Sequence, residues 1–161
     1  MLQYSDLEQL LTRSWSCPSG EQVDIDEIFD IISKADCNIY IGSDSNPSKL
    51  PVIMATSIAL WKRNEHAQYF YIKSRPWMDK KPTLQQRLQH EVVSACHIAN
   101  EIRSSFPNRE IIVHADINPD HSTPSGKFAK QLKNYIMGYG FKATIKPMSW
   151  AASCIADKYA C

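Results

Sequence analysis

The 161-residue sequence contains no run of the roughly 18 apolar residues that a membrane-spanning helix needs, so a helical membrane protein is excluded. Its opening, Met1-Leu2-Gln3-Tyr4-Ser5-Asp6, lacks the basic flank and apolar stretch of an export signal. The expectation is a soluble, unexported protein with no membrane partner. No Cys-x-x-Cys pair occurs, and the five cysteines (Cys17, Cys37, Cys96, Cys154 and Cys161) are an odd number. That argues against a disulfide framework or a cysteine zinc site and fits a reducing cytoplasm. Internal repeats and low-complexity stretches are also absent. With 43% hydrophobic content at this length, the chain is expected to build one domain with a substantial core.

Net charge is nearly absent too, at +1, but the balance is uneven. Residues 1 to 36 hold eight acids (Asp6, Glu8, Glu21, Asp24, Asp26, Glu27, Asp30 and Asp36) against Arg13 and Lys34, a net of −6 that leaves +7 on the remainder. A basic body suits a polyanionic partner, and a solvated face behind an acidic leader suits the same numbers. The leader is either a flap over the basic surface or an extension of the core.

The element order reads as follows. Residues 1–23 form an N-terminal extension, with a short helical pattern at Leu7, Leu10 and Leu11 and a break at Cys17-Pro18-Ser19-Gly20. A helix starts after Asp24, on the spacing of Ile25, Ile28, Phe29, Ile31 and Ile32. Strands are predicted over 38–45, 52–62 and 68–74, joined by short connections as in an antiparallel meander. A loop over 75–82 leads to Thr83, a good N-cap, and a helix reaching about Phe106. A strand over 110–117, a helix over 125–139 closed by Gly140, a strand over 141–146 stopped by Pro147, and a last helix over 150–161 complete the chain. The order β-β-β-α-β-α-β-α over 24–161 predicts an α/β domain on a mixed five-stranded sheet, antiparallel on one side and parallel on the other, with flanking helices.

Four acids stand out against this order. Asp44 and Asp116 each sit at the polar end of an apolar strand, where α/β folds present reactive groups; each also suits an ordinary strand-end turn. On the long helix, Leu84, Leu88, Val92, Ala95, Ala99, Ile102 and Phe106 fall on one stripe, and Glu91 lies within its edge. A carboxylate aimed at the sheet needs a partner, either a metal cation or a buried Arg or Lys. Asp157 shares a side of the last helix with Trp150, Cys154 and Cys161, the side expected to pack on the sheet. Four carboxylates on strand, helix, strand and helix are what two Mg²⁺ or Mn²⁺ ions require: hard oxygen ligands with open positions for water and phosphate. Two such ions serve in-line displacement at phosphorus.

The segments Ile39-Tyr40-Ile41-Gly42-Ser43-Asp44-Ser45, His90-Glu91, Val113-His114-Ala115-Asp116-Ile117-Asn118, and Pro147-Met148-Ser149-Trp150-Ala151-Ala152 leading to Ala156-Asp157-Lys158-Tyr159 carry a likeness over about residues 24–161. In these the sequence resembles the ribonuclease-H-like superfamily, and more closely its YkuK-type family of predicted nucleases. The resemblance implies a metal-binding core of Asp44, Glu91 and Asp116 completed by Asp157, and a metal-dependent nuclease acting on RNA, RNA/DNA hybrid or structured DNA. The alternative is a non-catalytic nucleic-acid-binding or scaffold domain on the same fold. The related four-acid exonucleases carry Asp-x-Glu on the first strand, where this chain reads Asp44-Ser45-Asn46.

Nucleic-acid contacts are expected from Ser45 and Asn118 beside the acids, and from Lys73, Arg75, Trp77, Lys80 and Lys81 around the loop, where basic residues flank an exposed indole able to stack on a base. Lys130 and Lys133 should face outward, opposite Phe128, Leu132 and Tyr135. His114 shares a side of its strand with Asp116 and is either a ligand-facing or a structural histidine.

Overall fold

A computed structural model describes residues 4–48, 50–77 and 80–161. Among these residues seven strands form one sheet. In chain order the elements are α1 (Tyr4–Thr12), β1 (Trp15–Ser16), β2 (Gln22–Val23), α2 (Ile25–Lys34), β3 (Asn38–Asn46), β4 (Val52–Trp61), β5 (Gln68–Trp77), α3 (Leu84–Ser105), β6 (Ile111–Ala115), a 3₁₀ turn (Gly126–Phe128), α4 (Ala129–Gly138) and β7 (Lys142–Thr144), followed by a π-helical segment (Ala151–Ala156) that runs into α5 (Asp157–Tyr159). The sheet order is β2-β1-β5-β4-β3-β6-β7, with β3, β4 and β5 antiparallel and β6 and β7 parallel to β3. The mixed sheet expected from the element order is present.

Two strands exceed the expectation of five. β1 and β2 are a two-residue hairpin whose turn is the Cys17–Gly20 break, with Gly20 at φ +90 and the Gly20 amide donating to the Cys17 carbonyl at 2.9 Å. Strands so short leave no alternation to read in the sequence. They extend the sheet beyond β5 and bring Trp15 and Leu10, both fully buried, into the main core. The N-terminal segment is thus packed into the core, and its role as a loose flap over the basic surface falls away.

Two helices start at capping boxes that satisfy otherwise orphaned amides: Asp24 with Glu27 for α2, and Thr83 with Gln86 for α3. The stripe predicted on α3 is the buried one: Leu88, Val92, Ala95, Ala99 and Ile102 pack with Ile39, Ile41, Ile58, Phe70 and Val113 of the sheet. α1 and α4 flank α3, and Leu132 and Ile136 of α4 join the same cluster. Tyr135 departs from the expected inward face and is 38% exposed, because it lies over a groove between α3 and α4. The terminal helical segment docks on β3 and β4 from the opposite sheet face.

Candidate metal centre

The parallel pairing of β3 with β6 ends at Ser43 opposite Ala115. Asp44 and Asp116 lie one residue beyond that pair, at the same end of adjacent strands; Asp44, still within β3, shares by strand alternation the face of Gly42, while Asp116 is the centre of a tight turn in which the Ile117 amide donates to the Ala115 carbonyl at 2.9 Å. Asp44 is 9% exposed, and β4 covers its flank through the pairing of Asp44 with Ala55.

Glu91 approaches from α3 on the other face and is 4% exposed. The Ser45 hydroxyl donates to its Oε1 at 2.5 Å. Arg87, one helical turn earlier, donates from Nη1 to the Ser45 carbonyl and hydroxyl at 2.9 and 3.0 Å and lies 3.8 Å from Glu91 Oε1. The buried arginine weighed as an alternative partner is therefore present, but its directed hydrogen bonds go to Ser45. Burial pushes the Glu91 carboxyl up to about 7, and the charge of Asp116 adds to this, against the opposing pull of Ser45 and Arg87.

Asp157 arrives on the terminal segment, and Gly42 is what lets it arrive. A Cβ at residue 42 would lie 2.7 Å from the Ala151 carbonyl carbon and 2.8 Å from Ala152 Cα, and closer still to the Ala152 nitrogen. Only glycine admits a helical backbone this close to a strand. The first turn is then clamped from two sides: His114 Nδ1 accepts from the Ala151 amide at 3.0 Å, and the Ser57 hydroxyl donates to the Ala151 carbonyl at 2.8 Å. Further on, Ala156 and Ala160 pack on Ala55, and Tyr159 stacks on Tyr71 with ring centroids 3.5 Å apart. These anchors bracket Asp157, which is itself exposed, and hold its carboxyl within hydrogen-bond reach of Asp44.

The Asp44 carboxyl is pushed up to about 9, first by burial, then by the charge of Glu91, the hydrogen bond with Asp157 and the charge of Asp116. All four acids therefore feel one another at Asp44. At the same time, no three His, Cys, Asp or Glu groups among the described residues stand close enough to form a ready ligand shell. The carboxyls are near enough to repel yet short of shared coordination. Asp116 Oδ1 is buried and accepts no directed hydrogen bond among the described residues, and Lys146 Nζ forms an ion pair with it at 2.9 Å. Hard oxygen donors, unfavourable mutual charge and an oxygen without a hydrogen-bond donor fit a divalent cation in chemistry.

The other expected residues divide. Lys73 is exposed and pairs with Ala55, which pairs with Asp44 on its other side, so Lys73 and Asp44 lie in one row, about 10 Å apart at ordinary strand spacing. Arg75, Lys80 and Lys81 are exposed. Trp77 is not the free indole expected: β5 runs on to it, and it packs half-buried against His90 at 4.9 Å between centroids. A groove of about 250 Å³ lies there, lined by Trp77, Lys80, Lys81, Gln86 and His90, next in sequence to Glu91. Met78 and Asp79 of the expected contact loop lie outside the described residues. Ser45 turns inward to Glu91. Asn118 spends its Oδ1 on the Asp120 amide at 2.9 Å in a local turn. His114 is 3% exposed, held near pKa 4 by burial and engaged at Nδ1 by the Ala151 amide, an arrangement that serves the packing of the terminal segment. Lys130 and Lys133 are exposed on α4, as expected.

Arg87, Lys146 and Gly42 were not singled out from the sequence. Arg87 lies four residues before Glu91, a spacing that itself signals a helical ion pair. An isolated glycine inside a strand pattern is likewise a mark of close backbone approach. Lys146 carries no such signal.

No curated protein and no solved structure matches the chain significantly. No helix among the described residues is long and apolar enough to cross a membrane. The family model described as Ribonuclease H-like matches residues 23–161, which span α2 to α5 and contain all four acids, and it supports a nuclease-type or nucleic-acid-related function. With that match over most of its length, and a mixed sheet in the order to go with it, the chain belongs to the ribonuclease H-like family.

Proposed function

We propose that the protein is a divalent-metal-dependent nuclease that hydrolyses phosphodiester bonds of RNA, RNA/DNA hybrid or structured DNA, with Asp44, Glu91, Asp116 and Asp157 holding two Mg²⁺ or Mn²⁺ ions. The observation that carries this reading is the crowding at Asp44, whose charged form is disfavoured by burial and by three neighbouring acids. Such a cluster is costly unless a cation compensates it. Bound there, divalent ions would supply Lewis-acid activation of water and stabilisation of the leaving oxygen.

The chain's own residues divide the remaining work. Asp44 and Asp116 are fixed by the ends of two paired strands, so their spacing follows from backbone geometry. Ser45 and Arg87 orient Glu91 and favour its ionised, ligating form. Asp157, the exposed member, closes the cluster from the solvent side. Lys73 in Asp44's row, and Lys80 and Lys81 beside Trp77, offer phosphate contacts on the approach to the acids.

A non-catalytic nucleic-acid-binding domain is the rival reading, favoured by the absence of a preformed ligand shell among the described residues. Labelled hybrid, duplex and junction substrates incubated with Mn²⁺, with chelator, and with Asp44→Asn separate the two. Cleavage that needs Mn²⁺ and vanishes in Asp44→Asn supports the nuclease. Binding of the same substrates without cleavage supports the rival, and cleavage that survives Asp44→Asn removes the mechanism.

A further inference from the structure

The carboxylate cluster already has a cation of its own. Lys146 Nζ lies 2.9 Å from Asp116 Oδ1, a buried oxygen with no hydrogen-bond partner among the described residues. The lysine is not there by chance of a long side chain, because its backbone amide donates to the Ile117 carbonyl at 3.1 Å, which fixes its Cα beside the residue after Asp116. Its side chain is 43% exposed, so the ammonium can swing into solvent without breaking a packed core. Among the described residues the other cation paired with one of the acids, Arg87, is committed by two hydrogen bonds to Ser45 and is 14% exposed. Of the two, only Lys146 is both charged and free to leave.

Resting on the metal-binding reading above, we propose that Lys146 is a tethered counter-ion that occupies the cluster in the metal-free protein and is displaced by the incoming divalent cation. An ammonium and a metal ion compete for the same lone pairs of Asp116, so each must weaken the other. This accounts for two observations together: the acids are close enough to repel, and they are not drawn into a ligand shell while a monovalent group holds one of them. Displacement also leaves a positive charge on a short tether at the rim of the site, where a substrate phosphate would lie. Lys146 is in this sense a positioning residue that sets the threshold for metal loading.

The test is Mn²⁺ affinity of the full chain, measured by titration calorimetry without nucleic acid, for the wild type and for Lys146→Met, Lys146→Arg, Lys158→Met and Asp44→Asn. Removing the competing charge should tighten Mn²⁺ about tenfold in Lys146→Met, the effect of one neighbouring ion pair on a carboxylate. Lys146→Arg, which keeps the charge, should stay near wild type. Lys158 is exposed and adjacent in sequence to Asp157, so Lys158→Met reports the general loss of positive charge and should change the affinity less than threefold. Unchanged affinity in Lys146→Met, or equal tightening in Lys158→Met, overturns the counter-ion while leaving the metal site intact. Absence of Mn²⁺ binding in wild type and Lys146→Met alike, or binding indifferent to Asp44→Asn, overturns the metal site itself and the counter-ion with it. A thermal melt of each variant checks that folding is unchanged.

Discussion

Raising the pH should destabilise the metal-free protein, and Asp44 should be the main reason above pH 7. In the folded chain burial and neighbouring charge hold this carboxyl at about 9, whereas in the unfolded chain an aspartate titrates at about 4. Between those values the native form keeps a proton that the unfolded form has lost, so stability is complete at low pH and falls as pH rises toward 9. Glu91, pushed up to about 7, acts in the same direction but lower down, and buried Cys96, pushed up to about 12, adds to the decline only near pH 9, so Asp44 dominates the window from pH 7 to 9. Two pH units at about 1.4 kcal/mol each give a ceiling of about 3 kcal/mol. Exposed Asp157 can turn away and relieve part of this, so we expect about 1 to 2 kcal/mol, or roughly 2 to 8 °C in Tm for a chain of this size. The assay is a thermal melt in chelator at pH 7, 8 and 9 for wild type and Asp44→Asn. The amide of the Asp44→Asn variant cannot ionise, and its melting curve should lose most of the decline that wild type shows. Added Mn²⁺ should raise the wild-type Tm more at pH 8 than at pH 6, because its ligands must shed protons to bind. Parallel declines in the two proteins, or equal Mn²⁺ responses at both pH values and in both proteins, would refute the reasoning.

Three other outcomes follow from the geometry. Ser45→Ala removes a hydrogen bond to the ionised Glu91, worth about 1.5 to 3 kcal/mol for a charged acceptor, so the pH midpoint of Mn²⁺ binding should rise by about one to two units in calorimetric titrations. Gly42→Ala drives a methyl into the Ala151–Ala152 backbone and should cost more than about 2 kcal/mol on chemical denaturation, with a change in the fluorescence of Trp150 as its helix lifts. Replacing Lys80 and Lys81 together by Met should weaken nucleic-acid binding evenly across sequences and lower the salt slope of log K by about two if both touch phosphate.

The sequence makes the site legible where periodicity constrains it. Asp44 and Asp116 can be placed because apolar strands end at them, and Glu91 because a helical stripe fixes which way it points. What escapes depends on pairings between distant segments. Lys146 follows a three-residue strand, and only the docking of β7 on β6 brings it to Asp116. β1 and β2 are two residues each, too short for any alternation, and they exist because β5 offers them an edge. Trp77 reads as a surface aromatic next to a loop, since nothing local reveals that His90, thirteen residues on, lies beneath it. Gly42 and Arg87 are the recoverable misses, because a glycine inside a strand and an arginine one turn before a buried glutamate both carry local signals.

Gly42 also changes how relatives of this chain should be read. Three of the acids belong to the sheet and α3, but Asp157 reaches them by way of a backbone-to-backbone contact that has no side chain of its own. Under the proposed metal-binding role, a relative could keep every acid and still lose the site to a single methyl group two positions ahead of the first of them. Sorting such sequences by their carboxylates alone would then misfile it, and the residue at position 42 belongs in the same signature as the acids it helps to gather.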